Sequence, residues 1–290
     1  MINVLVTGAG GQLGQALAVV SENQPEINFY FKTSRELDIT ISTKLSELFA
    51  NHSFHFCINC AAYTAVDKAE LEEDEAFRLN ATAVKDLASH CKRYNTTLIH
   101  ISTDFVFDGE KSIPYTEGDI PNPKNVYGAT KLKGEQSIQE SMSNYFILRT
   151  SWIYSAFGNN FVRTMLKLGS EKERLTIVSD QIGAPTYAND LAEVIIRIVR
   201  QNSRKYGIYH YCGNENMSWF DFAVLIFDAT SLEFELSPIT SEDFKTAALR
   251  PKYSVLNNNK IYREFQLGNP NSEISMRASL NKIIQANELS

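Results

Sequence analysis

Short apolar runs alternate with amphipathic stretches through the first half of the chain. The runs at 3–7, 27–31, 54–60, 97–102 and 145–150, with a shorter one at 37–39, read as strands. Between them, 12–21, 43–50, 74–94 and 126–140 read as helices. In 74–94 the residues Phe77, Ala81, Val84, Leu87 and Ala88 recur at three- and four-residue steps, one face of a helix. Nearly all-apolar strands separated by helices predict a parallel sheet covered on both faces. Right-handed crossovers then make a doubly wound, Rossmann-type α/β fold the economical arrangement. Ligands in such a sheet bind beyond the carboxyl ends of the strands, so functional residues are expected just after each one.

Past about residue 151 the pattern loosens. Residues 1–153 are expected to form the dinucleotide-binding region, with 172–203 returning to it through a strand near 175–179 and a helix at 190–200. Residues 154–171 and 204–290 are expected to form a smaller mixed substrate-binding part, punctuated by Pro185, Pro238, Pro251 and Pro270. The cluster Trp219, Phe220, Phe222, Leu225, Ile226 and Phe227 reads as helix core rather than an aromatic binding box.

A net charge of -6 argues against a broad basic surface for nucleic acid. The first seven residues read as a strand rather than a leader, and no apolar run approaches the roughly 18 residues of a membrane helix. A cytoplasmic protein with no membrane partner is expected. Cys57 and Cys60 match C-x-x-C, but on a strand residues three apart face opposite ways and cannot grip one metal. None of the five histidines falls in a motif such as H-E-x-x-H, so no metal site is expected from the side chains. The acidic run Glu70-Leu71-Glu72-Glu73-Asp74-Glu75 suits the start of the long helix, whose dipole favours negative charge there.

Candidate chemistry begins after the first strand, where Gly8, Gly11 and Gly14 form G-x-x-G-x-x-G around Gln12 and Leu13. Glycine serves a sharp turn and a close backbone approach to a pyrophosphate, and the following helix N-terminus offers N–H groups to it. The second strand leads into Lys32 and Arg35, with no acid at its tip to take a ribose 2′-hydroxyl. Cations there suit a 2′-phosphate, so NADPH is favoured over NADH, with NADH use left open. Asp38 and Ile39 are placed for the adenine edge, and Ala61, Ala62 and Tyr63 offer backbone to the cofactor. Tyr127 and Lys131, four apart on a predicted helix, share a face, and Thr103 ends the strand at 97–102. A neighbouring ammonium favours the phenolate, and a hydroxyl can hold a reacting carbonyl.

These motifs together resemble the extended short-chain dehydrogenase/reductases, and within them the dTDP-4-dehydrorhamnose reductase family. The resemblance runs essentially end to end. It is carried by Gly11-Gln12-Leu13-Gly14, by the stretch from Asn59 to Glu70, and by Ser102-Thr103-Asp104-Phe105-Val106-Phe107-Asp108-Gly109. Further matches are Tyr127-Gly128-Ala129-Thr130-Lys131-Leu132, Arg149-Thr150-Ser151-Trp152-Ile153-Tyr154, Gly183-Ala184-Pro185-Thr186 and Arg250-Pro251. The resemblance implies reduction of a sugar C4 ketone on a dTDP-linked substrate by NADPH, with Thr103, Tyr127 and Lys131 as the triad. It implies a pyrophosphate cradle of Gly11, Gln12 and Leu13, adenosine contacts from Asp38 and Ile39, and contacts to the rest of the cofactor from Ala62, Tyr63 and Thr64. Substrate contacts would come from Val66, Asp104 and Trp152, with Asn160 and Arg250 toward the diphosphate. Some members bridge a dimer with Mg²⁺ through carboxylates, which are not assignable here; a homodimer is the assembly to consider. Phe105 stands where many members have Tyr and where a nucleotide-sugar dehydratase needs Glu. Other reductases or epimerases of the superfamily, and a non-catalytic subunit like the methionine adenosyltransferase β-subunit, are the alternatives.

Overall fold

The computed structural model describes residues 1–230, 234–268 and 272–288; Pro270 lies outside the described residues. Its first half runs β1 Ile2–Thr7, α1 Gln12–Ser21, β2 Ile27–Lys32, α2 Ser42–Asn51, β3 Phe56–Asn59, α3 Val66–Ala69, α4 Glu73–Phe77, a π-helical turn Arg78–Thr82 and α5 Ala83–Arg93. There follow β4 Thr97–Thr103, a 3₁₀ turn Asp104–Val106, α6 Val126–Ser141, β5 Tyr145–Thr150, β6 Ile153–Tyr154, α7 Phe161–Glu171 and β7 Arg174–Val178. The remainder is β8 Ile182–Gly183, β9 Thr186–Tyr187, α8 Ala188–Arg200, β10 Gly207–His210, β11 Met217–Ser218, α9 Trp219–Asp228, β12 Glu235–Ile239, α10 Asn259–Phe265 and α11 Ser272–Glu288.

The main sheet has the order β10-β5-β4-β3-β1-β2, every pair parallel. Alternate residues of each strand supply two cores. Val4, Val6, Ile58 and Leu148 pack with Leu13 and Leu17 of α1 and Ile195 and Val199 of α8. Leu5, Cys57, Leu98 and Ile147 pack with Leu45 of α2, Leu87 of α5 and Ile138 of α6 on the other side. Both faces are dry, which is why these strands read as continuous apolar runs. Cys57 belongs to one core and Cys60 lies against the other, so their thiols face opposite sides.

Three sequence expectations change. Residues 37–39 form no strand: the Thr33 carbonyl accepts from the N–H groups of Glu36 and Leu37, turning the chain directly after β2. Leu37 and Ile39 are buried as anchors of that turn. The strand near 175–179 exists as β7, but it pairs with β12 outside the main sheet. Its Arg174 and Thr176 are exposed, and a strand with one wet face has no place in a sheet covered on both sides. The sixth strand of the sheet is instead β10, from the region expected to be the substrate-binding part, pairing with β5. That outer region has its own core, in which Tyr154, Val162, Met165, Phe222 and Ile226 meet Leu280 and Ile283. Trp219–Asp228 is the helix its apolar content predicts, capped by Ser218 and Asp221 in a reciprocal capping box.

Candidate active site

The glycine loop sits at the carboxyl end of β1. Gly8 has φ +67°, and a Cβ there would collide with the Ala61 backbone, so only glycine lets the first turn lie against the segment after β3. α1 then opens at Gly11 with no side chain capping its first N–H groups. Donors left free at a helix N-terminus are what a phosphate requires. The Gln12 Oε1 accepts from Ser155 Oγ and Asn160 Nδ2, each at 3.0 Å, tying the loop to the segment before α7.

At the tip of β2, Lys32 is half-buried and Arg35 exposed, and neither makes an ion pair among the described residues. An acid is nearby after all: Glu36 Oε2 accepts from the Thr33 N–H at 2.8 Å and from its hydroxyl at 2.7 Å. Those bonds hold its carboxyl below the usual range and occupy it in the turn. The Asp38 carboxylate is likewise engaged, accepting from the N–H and hydroxyl of Thr40. Ile39 is only 2% exposed, so its side chain offers a ligand no surface.

Beyond the ends of β3, β4 and β5 lies a cleft of about 520 Å³. It brings together Gly11, Gln12, Leu13, Ala62, Thr64, Thr103, Asp104, Tyr127, Lys131, Trp152 and Asn160, residues from six separate stretches of chain. Thr103 ends β4, and its Oγ1 accepts from the Phe105 N–H at 3.2 Å, which starts the 3₁₀ turn. Asn125 caps α6 by accepting from the Gly128 N–H at 2.8 Å, placing Tyr127 in the first turn. A Cβ on Gly128 would run into the Phe105 carbonyl, so this glycine lets α6 approach the end of β4. The Phe105 ring meets Tyr127 edge-on at 5.8 Å.

Electrostatics in the cleft are governed by burial. The Tyr127 phenol is pushed up to about 12 by burial, opposed by its hydrogen bond with Thr103. The sequence expects a downward pull from Lys131; the phenol instead rises by desolvation, with Thr103 and not Lys131 drawing it down. Burial also draws Lys131 down to about 8, against the nearby Glu135 and Cys60. Asp104 is pushed up to about 6, again by burial. Its Oδ1 accepts from Thr103 at 3.0 Å, while Oδ2 is buried with no hydrogen-bond partner among the described residues.

Other expected contact residues are placed differently. Trp152 lines the cleft with a left-handed backbone, φ +46°, and stacks on Trp219 with ring centroids 3.5 Å apart. Asn160 also lines it, but its Oδ1 caps α7 and its Nδ2 donates to Gln12, Ser155 and Phe157, so it organises the wall. Arg250 lies in an adjoining cavity of about 670 Å³, where it pairs with Asp67 at 2.6 Å. Val66 opens α3, half-buried, and lines neither cavity, while Tyr63 donates its hydroxyl to Glu72.

Sequence reading missed a buried polar stripe beneath the cleft. Glu135, one turn after Lys131, pairs with Arg149 at 2.6 Å and accepts from Ser102 at 2.5 Å, with both charged residues at most 2% exposed. His100 and Asn59 join Lys131 beside this pair. The signal was present: on alternate positions near the strand ends, apolar residues give way to Asn59, His100, Ser102 and Arg149. Among the described residues no group of three or more His, Cys, Asp or Glu side chains is placed to hold a metal, and no helix is long and apolar enough to cross a membrane.

A parallel sheet with a glycine loop after its first strand, and a Thr–Tyr–Lys set facing that loop, defines the extended short-chain dehydrogenase/reductase class. The chain belongs to the family described as RmlD substrate binding domain, whose sequence model matches residues 2–285. It is 42% identical over 275 residues to the dTDP-4-dehydrorhamnose reductase of Aggregatibacter actinomycetemcomitans, covering 91% of this chain and 94% of that one. It is similar to the crystal structure of a dTDP-4-dehydrorhamnose reductase from Clostridium acetobutylicum ATCC 824, with TM-score 0.92, 38% identity, and coverage of 99% and 100% of the two chains. A dTDP-4-dehydrorhamnose reductase from Bacillus anthracis str. Ames, solved in complex with NADP, gives TM-score 0.91 and 39% identity over 98% of this chain and 99% of that one.

Proposed function

We propose that the protein reduces the 4-keto group of dTDP-4-dehydro-6-deoxy-L-mannose with NADPH, giving dTDP-L-rhamnose. The observation that carries this is the meeting of Thr103, Tyr127 and Lys131 in one cleft with the uncapped N-terminus of α1. Gly11, Gln12 and Leu13 would hold the pyrophosphate, Lys32 and Arg35 the 2′-phosphate, and Lys131 the nicotinamide ribose. NADPH, when bound, supplies the hydride.

The chain's own residues supply the proton and the alignment. With its pKa near 12, Tyr127 is protonated at neutral pH, the form a general acid needs to quench an alkoxide developing at the sugar C4 oxygen. Thr103, which lines the same cleft as the phenol, would hold that oxygen in line. Phe105 beside Tyr127 brings no carboxylate, so the acid–base residue a dehydratase would need there is missing. Trp152 and Asp104 line the sugar side, and the Arg250 cavity suits the nucleotide. Residues 154–171 with the C-terminal part, less β10, would form the substrate lobe of a cytoplasmic enzyme, with a homodimer as the assembly to test by sedimentation.

The test is NADPH oxidation with the dTDP-4-keto-6-deoxy sugar, comparing wild type with Tyr127→Phe. Wild type is expected to turn over and the variant to lose roughly 10²–10⁴-fold in kcat. A wild type without turnover, or a variant that matches it, overturns the proposal.

A further inference from the structure

Lys131 rests on a line of buried polar side chains that crosses the sheet. Thr7, Asn59 and His100 are register neighbours on β1, β3 and β4, and each is at most 1% exposed. Thr7 Oγ1 donates to Asn59 Oδ1 at 2.7 Å, and the Ala61 backbone N–H donates to the same oxygen at 3.2 Å. Asn59 Nδ2 lies 3.0 Å from His100 Nδ1, and His100 Nε2 lies 3.3 Å from Lys131 Nζ. Lys131 Nζ also donates to the Ile101 carbonyl at 2.6 Å.

The proton positions follow from the one group in this line that has no choice. A backbone N–H can only donate, so the oxygen of Asn59, not its nitrogen, must face Ala61. The Asn59 amide nitrogen therefore faces the imidazole, and since it too can only donate, His100 Nδ1 must carry a lone pair. Complete burial disfavours the imidazolium, leaving one proton on the ring. That proton sits on Nε2 and points at Lys131. An N–H aimed at nitrogen is a hydrogen bond when the partner is an amine and a repulsion when it is an ammonium.

We propose that His100 is a positioning residue for Lys131: Asn59 holds it as the Nε2–H tautomer, and that N–H bonds Nζ when it is an amine and so favours the uncharged form. Opposing it are Cys60 at the end of β3 and Glu135 on α6, the latter already paired with Arg149; Tyr127 is the other titratable group on that face of α6. The amine consequently titrates below the ordinary lysine value, the direction that burial also imposes. The effect on turnover rests on the reductase reading above, in which Lys131 holds the ribose; where it does so as the ammonium, its loss of a proton sets the alkaline limb of kcat/KM.

Two measurements test it, one independent of turnover. In ¹⁵N-histidine-labelled wild type, NMR should show His100 protonated at Nε2 and bare at Nδ1; the opposite tautomer, or an imidazolium, overturns the proposal whatever the enzyme does. The second follows Lys131 through its ¹³Cε resonance, together with the pH profile of NADPH oxidation, in His100→Met and Asn59→Asp. Methionine removes the N–H, and aspartate accepts from Nδ1 and so moves the ring proton away from Lys131. Both variants should raise the Lys131 titration by about one pH unit, a tenfold change in its acid constant. Natively folded variants in which that titration does not move overturn the proposal. A correct tautomer and a moving resonance without any turnover would instead sink the reductase reading and leave the His100 assignment standing.

Discussion

At the scale of single residues, the proposed function makes cofactor choice and pH response depend on a few side chains. Lys32 and Arg35 make no ion pair among the described residues, while Glu36, the acid next in sequence, is held by Thr33. A charge-assisted hydrogen bond is worth about 1.5–3 kcal/mol, so Lys32→Ala with Arg35→Ala should raise KM for NADPH about 10- to 100-fold and leave KM for NADH nearly unchanged. Steady-state kinetics with the two cofactors checks this. Asp104 carries a stability signature. Its folded pKa of about 6 lies above its ordinary value of 3.8, so the folded state binds the extra proton between these values and stability falls as pH rises through that window. The cost at neutral pH is at most about 3 kcal/mol. Asp104→Asn should therefore raise Tm at pH 7 and gain much less at pH 4, read by thermal melts at both. The glycines and the Tyr–Lys pair were legible in the sequence as positions, because fixed spacing on a turn or a helix face brings them together. Asp104 was legible as a position, but its raised pKa was not, since burial depends on how segments distant in the chain fold around it.

At the scale of elements, the site depends on how closely α6 can approach the end of β4. Gly128 is the point of contact, and Asn125 fixes where the helix starts. Gly128→Ala should cost about 1–3 kcal/mol by overpacking against the Phe105 carbonyl, and should lower kcat more than it raises KM because Tyr127 moves with the helix. Urea unfolding and steady-state kinetics on the same variant separate the two effects. Periodicity placed α1 and α6 nearly to the residue, and β1, β2, β4 and β5 to within one; β1, β4 and β5 are buried on both faces, which leaves a strong signal, and the half-buried edge strand β2 is apolar enough to share it. It misread 37–39, where two buried anchors in a turn imitate the alternation of a strand. It also sent β7 to the wrong sheet, because a half-wet strand carries no mark of its partner.

At the scale of the whole molecule, the buried Glu135–Arg149 pair joins α6 to the sheet beneath the cleft, with Ser102 from β4 completing it. Arg149 also lies over the Phe107 ring at 5.1 Å and 3.4 Å from His210 on β10, so β4, β5, β10 and α6 meet at one charge. Arg149→Met should destabilise by about 3–5 kcal/mol by stranding Glu135, and adding Glu135→Leu should recover most of that loss. Denaturant unfolding of both variants decides it, and a double variant as unstable as the single one would refute the argument. The sequence by itself determined the doubly wound class, the glycine loop after β1 and the candidate set Thr103, Tyr127 and Lys131 that meets in one cleft, because each is written in local spacing or in the periodicity of burial. Only the tertiary structure decided that β10 and not β7 closes the sheet. The same holds for the assignment of Arg250 to a neighbouring cavity and for the polar stripe of Thr7, Asn59 and His100 behind Lys131. Those facts depend on which strands lie side by side, and a parallel sheet pairs segments separated by dozens of residues, where local pattern carries no information about the partner.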